Sequence, residues 1–318
     1  MCYRNRVSIL LAGSSGLVGS GIKRKLDALS VSYIEIHSDI VNLLDREQTI
    51  EFVQDHRPDV VIDAAAKVGG IGANSDFPVD FLLQNLTIQS NLMEASHLAA
   101  VDRFVFLGSS CIYPRNAIQP IKEEFLLSGP LEKSNSAYAI AKIAGIELVR
   151  AYRKQFGRHW ISLMPTNIYG PNDNFNLLTA HVLPALINRF YSAKEKSQSV
   201  VSLWGTGKPR REFLHSDDLA SAVLLALEKY DDDLHLNVGS GSDISIFELS
   251  QIIAEHTGFE GLITWDTSKP DGTPRKLLDI SRISALGWKG EVELNTGIKE
   301  TLNWFKNALA QEGGKLRV

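Results

Sequence analysis

Short apolar runs alternate along this chain with longer segments of helical period. Residues 7–12, 33–37, 58–64, 103–107 and 160–164 are runs of five to seven residues, rich in valine, isoleucine, leucine and phenylalanine. Continuous apolar runs of that length suit strands buried on both faces of a parallel sheet. Between them lie helical segments: 17 to about 30, 45–56 with Asp45 as its cap, 79–99, and 138–156. Strands alternating with helices in this way predict an α/β fold with a doubly wound parallel sheet, whose ligands sit at the carboxyl ends of the strands. The 79–99 segment carries Phe81, Leu82, Leu86, Ile88, Leu92, Met93 and Leu98 on more than one side, and the 138–156 segment does the same with Ile140, Ile143 and Ile146. Helices apolar all round are covered twice. We expect a homodimer in which these two helices pair across a two-fold axis; the alternative is a second layer of the same chain.

After Pro171 the alternation loosens into turn-rich stretches at 171–174, 205–209 and 269–272. Residues 1–170 therefore read as a nucleotide-binding domain and 171–318 mostly as a smaller substrate lobe. A strand near 235–241 returns to the main sheet, so the boundary is interleaved. At 318 residues, 44% hydrophobic and 22% charged, the chain has ample core for one or two domains. The net charge of −4 argues against general nucleic-acid binding. No apolar run approaches the roughly 18 residues of a membrane span. The basic start is followed by only a short apolar run, which reads as the first strand and not as a signal peptide. Two cysteines, Cys2 and Cys111, form neither a disulfide framework nor a metal-ligand set, so we expect no metal and a reducing, cytoplasmic compartment.

The first strand runs straight into Gly13-Ser14-Ser15-Gly16-Leu17-Val18-Gly19 and then a helix. Glycines there permit a tight turn and close backbone approach, and the helix start offers free N–H groups and a positive dipole end to a pyrophosphate. The spacing is Gly-x-x-Gly-x-x-Gly, so a ligand-free turn is the bland alternative. At the end of the second strand, where the adenosine ribose should lie, stand His37, Ser38 and Asp39, neither a clean acid nor an arginine. Ser14, Ser15 and Ser38 can bond a 2′-phosphate, and these residues leave NAD and NADP both open. Tyr138 and Lys142 are four apart and share a helix face. An ammonium there is expected to lower the phenol's pKa toward working pH and fit it for proton transfer to a sugar or alcohol oxygen. Ser109 and Ser110, about 30 residues upstream, fall in a strand-end loop that can reach the same oxygen. Such helical pairs are common, and only this context gives the pair weight.

In the glycine turn, the serine loop and Tyr138-x-x-x-Lys142 the chain resembles the extended short-chain dehydrogenase/reductase superfamily. Within it, Ala66-Lys67-Val68-Gly69-Gly70-Ile71, Leu107-Gly108-Ser109-Ser110-Cys111-Ile112-Tyr113-Pro114, Met164-Pro165-Thr166-Asn167, His181-Val182-Leu183-Pro184, Arg211-Glu212-Phe213-Leu214-His215 and Asp271-Gly272-Thr273-Pro274-Arg275-Lys276 are similar to the GDP-L-fucose synthase family. The resemblance covers nearly the whole chain. It implies a Rossmann-like sheet with a smaller α+β lobe, and conversion of GDP-4-keto-6-deoxy-D-mannose to GDP-L-fucose by epimerisation at C3 and C5 and reduction at C4. By resemblance, Ser109, Tyr138 and Lys142 serve the reduction, and Cys111 and His181 exchange the protons. The cofactor contacts it implies are the turn from Gly13 to Gly19, Ser38, Leu107, Gly108, Ser110, Lys142, Pro165, Thr166, Asn167, Ile168 and His181. Arg189, Trp204, Arg211, Asp271 and Lys276 go to the GDP-sugar. NADP(H) is favoured; NAD(H) is not excluded, because Ser15 and Ser38 stand where many bacterial members carry arginines. His215, Asp217 and Asp218 are read as structural. The rivals are a synthase for a related GDP-4-keto-deoxy sugar, such as a colitose-forming one, a 4-epimerase that retains NAD, and a non-catalytic NADP sensor.

Overall fold

The computed structural model describes residues 7–269 and 271–311; Cys2, Pro270 and the polar tail at 313–318 lie outside the described residues. The first half alternates β1 (Ile9–Ala12), α1 (Leu17–Ala28), β2 (Tyr33–Ile36), α2 (Arg46–His56), β3 (Val60–Asp63), α3 (Ile71–Asp76), α4 (Pro78–Leu98), β4 (Arg103–Leu107), α5 (Ser136–Phe156) and β5 (Ile161–Pro165). These strands and Leu236–Val238 make one six-stranded sheet, in the order Leu236–Val238, β5, β4, β3, β1, β2. Every pairing in it is parallel. Asp45 caps α2 with its side chain, which accepts from the Gln48 amide.

The strands read as unbroken apolar runs because both faces are covered. Ile9, Leu11, Ile62 and Val105 pack with Ile22 and Leu26 of α1 and with helix Ser216–Lys229. Leu10, Ala12, Val61, Phe104 and Phe106 pack on the other face with Val53 of α2, Leu92 of α4 and Ile146 of α5. Each leucine or isoleucine buried this way contributes ~1.5–3 kcal/mol. The chain steps from β1 to β2 on one side and then to β3 on the other, which opens a crevice beyond the carboxyl ends of β1 and β3.

The second half builds a lobe with its own core, from helices Val182–Glu195, Ile246–Thr257 and Leu294–Ala310. Its strands are short. Arg210–Arg211 lies between Ile244–Ser245 and Arg275–Lys276. Glu212, fully buried, locks this patch to the main sheet by accepting the amides of Gly241 (2.7 Å) and Leu278 (3.0 Å). His215 and Asp218 are structural: His215 Nδ1 accepts the Asp217 amide at the start of helix Ser216–Lys229, and Asp218 accepts the amides of Glu291 and Val292. Among the described residues no helix is long and apolar enough to cross a membrane.

Candidate active site

The glycine turn is built by close packing. Gly13 takes φ +77°, and a Cβ there would stand 2.6 Å from the Ala64 carbonyl oxygen. The Gly13 amide donates to Ile36 at 2.8 Å. Gly16 caps α1 without a side chain, and the first turn holds no acid. The N–H groups and positive end of α1 therefore carry no side-chain partner of their own, which fits a dinucleotide pyrophosphate. Ser14, expected as a 2′-phosphate contact, is turned inward. It is 1% exposed and faces Glu35, whose carboxyl is held below its usual range by the Lys23 ammonium 2.7 Å away and, more weakly, by Ser14. Ser15 and Ser38 are exposed beyond β1 and β2.

Three strand ends meet over the crevice. Ser109 follows β4, and its hydroxyl accepts the Cys111 amide at 3.2 Å. The Tyr138 phenol faces the same hydroxyl. Lys142, one helical turn past Tyr138, donates to the Leu107 carbonyl at 3.0 Å and sits 4.8 Å from the centre of the Phe106 ring. α5 comes that close to β4 because Gly145 faces the Phe106 ring edge-on, with no room for a methyl group. Beyond β5, Thr166 is fixed through its amide to Val238 (3.0 Å), and the Asn167 side chain donates to the Glu212 carbonyl (2.7 Å). Gly108 packs against the Met164 side chain, which leaves no room for a Cβ. Leu17, Val18, Ser110, Pro165 and Ile168 occupy the same ring of strand ends and turns.

The expected electrostatics of Tyr138 are reversed. Burial raises its pKa, the neighbouring Cys111 raises it further, and the Ser109 bond opposes only in part. Lys142 does not offset this, since its ammonium points to Leu107 and lies 5.9 Å from the tyrosine ring. Burial lowers Lys142 itself to about 8, with Asp63 opposing. Together these influences favour the protonated phenol.

Cys111 shares this cleft. Asn135 donates to its sulfur at 3.2 Å, and the Lys276 ammonium stands 3.7 Å away. Asn135 is the N-cap of α5, yet its side chain makes no capping bond, because it is turned to the sulfur. His181 precedes helix Val182–Glu195. The residue as a whole is exposed, yet desolvation of its ring and, after that, the Lys276 charge lower its pKa. Arg211 lies within the field of Cys111, Asp271 and Glu132, and burial lowers its pKa.

Ser109, Cys111, Tyr138, Lys142, His181, Arg211 and Lys276 therefore converge. Arg189, Trp204 and Asp271 stand farther out on the lobe. Arg189 donates to Ser202 at 2.8 Å, Asp271 holds Thr206 through its amide and hydroxyl, and Trp204 is 66% exposed beneath the Lys269 ammonium. Sequence reasoning missed Asn135 and Asp63. Nothing in the spacing singles out Asn135, whereas Asp63 is an acid inside an otherwise apolar run.

The model of the NAD dependent epimerase/dehydratase family matches residues 9–239. A probable GDP-L-fucose synthase of Oryza sativa subsp. japonica is 51% identical, over 93% of this chain and 91% of its own. A GDP-L-fucose synthase of Escherichia coli (strain K12) is 48% identical, over 93% and 96%. Among solved structures, a GDP-L-fucose synthetase from Naegleria fowleri bound to NADP superposes with a TM-score of 0.90 at 28% identity, covering 100% of this chain and 98% of that one.

Proposed function

The chain belongs to the NAD dependent epimerase/dehydratase family, and on that footing we propose that its phenol and thiol act on one ketone. It is an NADPH-dependent enzyme that works as a GDP-L-fucose synthase, epimerising GDP-4-keto-6-deoxy-D-mannose at C3 and C5 and then reducing C4. The observation that carries the reading is the convergence of Cys111, with its two side-chain donors, on the Ser109–Tyr138 pair.

Ser109 and Tyr138 donate to the C4 carbonyl oxygen and so acidify the protons on C3 and C5. Cys111 removes each proton, and the enolate's charge rests on the held oxygen. His181 returns a proton from the opposite face, its lowered pKa favouring release. Asn135 and Lys276 face the sulfur and can balance a thiolate. Bound NADPH supplies hydride to C4. Tyr138 then gives its proton to O4, which its raised pKa equips it to hold until that step. Lys142 holds the cofactor ribose, the turn from Gly13 to Gly19 takes the pyrophosphate, and Ser15 and Ser38 take the 2′-phosphate. Arg211 pairs with the GDP phosphates, Trp204 stacks on the base, and Arg189 and Asp271 frame it.

The same reading includes a homodimer. Val79, Leu83 and Ile140 are exposed by 69%, 60% and 49% on adjacent helices α4 and α5, uncovered by any described part of the chain. Cysteine usage favours a cytoplasmic location.

The test is incubation of the purified protein with NADPH and GDP-4-keto-6-deoxy-D-mannose, the product sugar being identified by NMR. One NADPH consumed per GDP-L-fucose formed is the expected result. Preference for the corresponding 3-deoxy ketosugar makes it a colitose-type synthase. A C4 epimer formed with no net oxidation of cofactor makes it a 4-epimerase.

A further inference from the structure

Asp63 ends β3, whose other residues are Val60, Val61 and Ile62. It is 1% exposed. Its Oδ1 accepts the Ala65 amide at 3.1 Å, and its Oδ2 is buried with no hydrogen-bond partner. A carboxylate is placed so only at a cost, unless a charge answers it. The register shows which one does. Asp63 is the partner of Phe106 across β3 and β4, and register partners project to the same side of a sheet. Val61 and Phe104, two residues back on each strand, pack toward α4 and α5. From that side Lys142 reaches down to Phe106, 4.8 Å from the ring centre, and to the Leu107 carbonyl. Carboxylate and ammonium thus flank one phenylalanine ring.

We propose that Asp63 is a positioning residue for Lys142, its buried carboxylate holding the ammonium charged and drawn back toward the sheet, beneath the place of the cofactor ribose. The inference rests on the ribose-holding role given to Lys142 above. Burial raises Asp63 to about 6, and Lys142 opposes the rise; burial lowers Lys142 to about 8, and Asp63 opposes the fall. The residues beside the pair on the neighbouring elements are uncharged: Ala12 of β1 and Phe106 of β4, in register with Asp63, and the Tyr138 phenol of α5, whose ring centre lies 5.9 Å from the Lys142 ammonium. Among the described residues, burial and the partner's charge move each group, with the Ala65 amide also lowering Asp63. A purely local role for Asp63, capping the Ala65 amide, needs only an acceptor oxygen, which asparagine also offers.

Asp63→Asn keeps that acceptor and removes the charge. Lys142 then loses the contribution that raises its pKa, so the ammonium is lost at lower pH. The alkaline limb of NADPH binding and of turnover should move down by about one pH unit or more, with activity below the limb within about threefold of the parent. Asp63→Glu should bring the limb part of the way back. A limb that stays in place in Asp63→Asn overturns the proposal. Should Asp63→Asn not fold, infrared spectra of Lys142→Met serve instead. Deprived of its cation, Asp63 should be protonated at neutral pH, giving a carboxylic acid band that wild type and Lys142→Met/Asp63→Asn lack; no such band overturns the proposal. NADPH binding and infrared spectra need no sugar. Failure of the wild type on the GDP-sugar would count against the proposed function and leave this result readable.

Discussion

A residue that gives a proton to a ketone oxygen must still own that proton when hydride arrives. In the proposed reaction that residue is Tyr138, whose phenolate the interior disfavours, with the nearby sulfur adding to the penalty. The four-residue spacing to Lys142 told of a shared helix face, which is right. It could not tell that the phenol is buried or that the ammonium is spent on Leu107. The direction of the pKa shift was therefore invisible in the chain, although the pair itself was plain. In the proposed reaction Cys111 carries the other half of the chemistry. Cys111→Ser exchanges a thiol for a hydroxyl that is a far weaker base at neutral pH. Uptake of solvent deuterium at C3 and C5 should fall by about 10²-fold or more, while NADPH affinity and thermal stability stay near the parent's, since Cys111 is only half-buried. Proton NMR in D₂O and fluorescence titration check the two limbs. Exchange at the parental rate removes Cys111 from the reaction.

At the scale of elements, the site is a matter of how closely α5 lies on β4. Gly145 sets that depth, being the one position where the helix presses on the Phe106 ring without a side chain. Gly145→Ala would place a methyl group inside the ring's van der Waals envelope. The helix must lift or Phe106 must turn, and both move Lys142 off the Leu107 carbonyl. Overpacking of this kind costs about 1–3 kcal/mol, readable by urea denaturation. Turnover should drop with little change in KM for the GDP-sugar, since Arg211 and Trp204 sit on the other lobe. Wild-type kcat in a destabilised Gly145→Ala would separate helix depth from catalysis. The strands of the main sheet were legible because their apolar runs are long enough to carry a pattern. Arg210–Arg211, Ile244–Ser245 and Arg275–Lys276 were not, since two residues show no period. These strands exist through tertiary partners, chiefly Asp243 between Arg210 and Arg275, and the buried Glu212.

At the scale of the molecule, one surface is left to account for. The apolar residues of the 79–99 and 138–156 segments were visible as belonging to two covered faces, but a pattern in one chain cannot say what covers the second. Among the described residues nothing does: α4 and α5 lie side by side with Val79, Leu83 and Ile140 outward. Two helices of 21 residues each, ~31 Å long and ~10 Å wide, present about 600 Å² together, close to the ~800 Å² a protomer gives to a standard interface. A two-fold axis through that face uses the same patch on both protomers, so one substitution enters the contact twice. Leu83→Glu then puts two carboxylates into an apolar contact. Analytical ultracentrifugation should find the parent at twice the chain mass and Leu83→Glu at the chain mass, at micromolar concentration. Leu83 is 60% exposed in the protomer, so the fold itself should be little disturbed. A Leu83→Glu protein that still sediments as a dimer would place the subunit contact on another face.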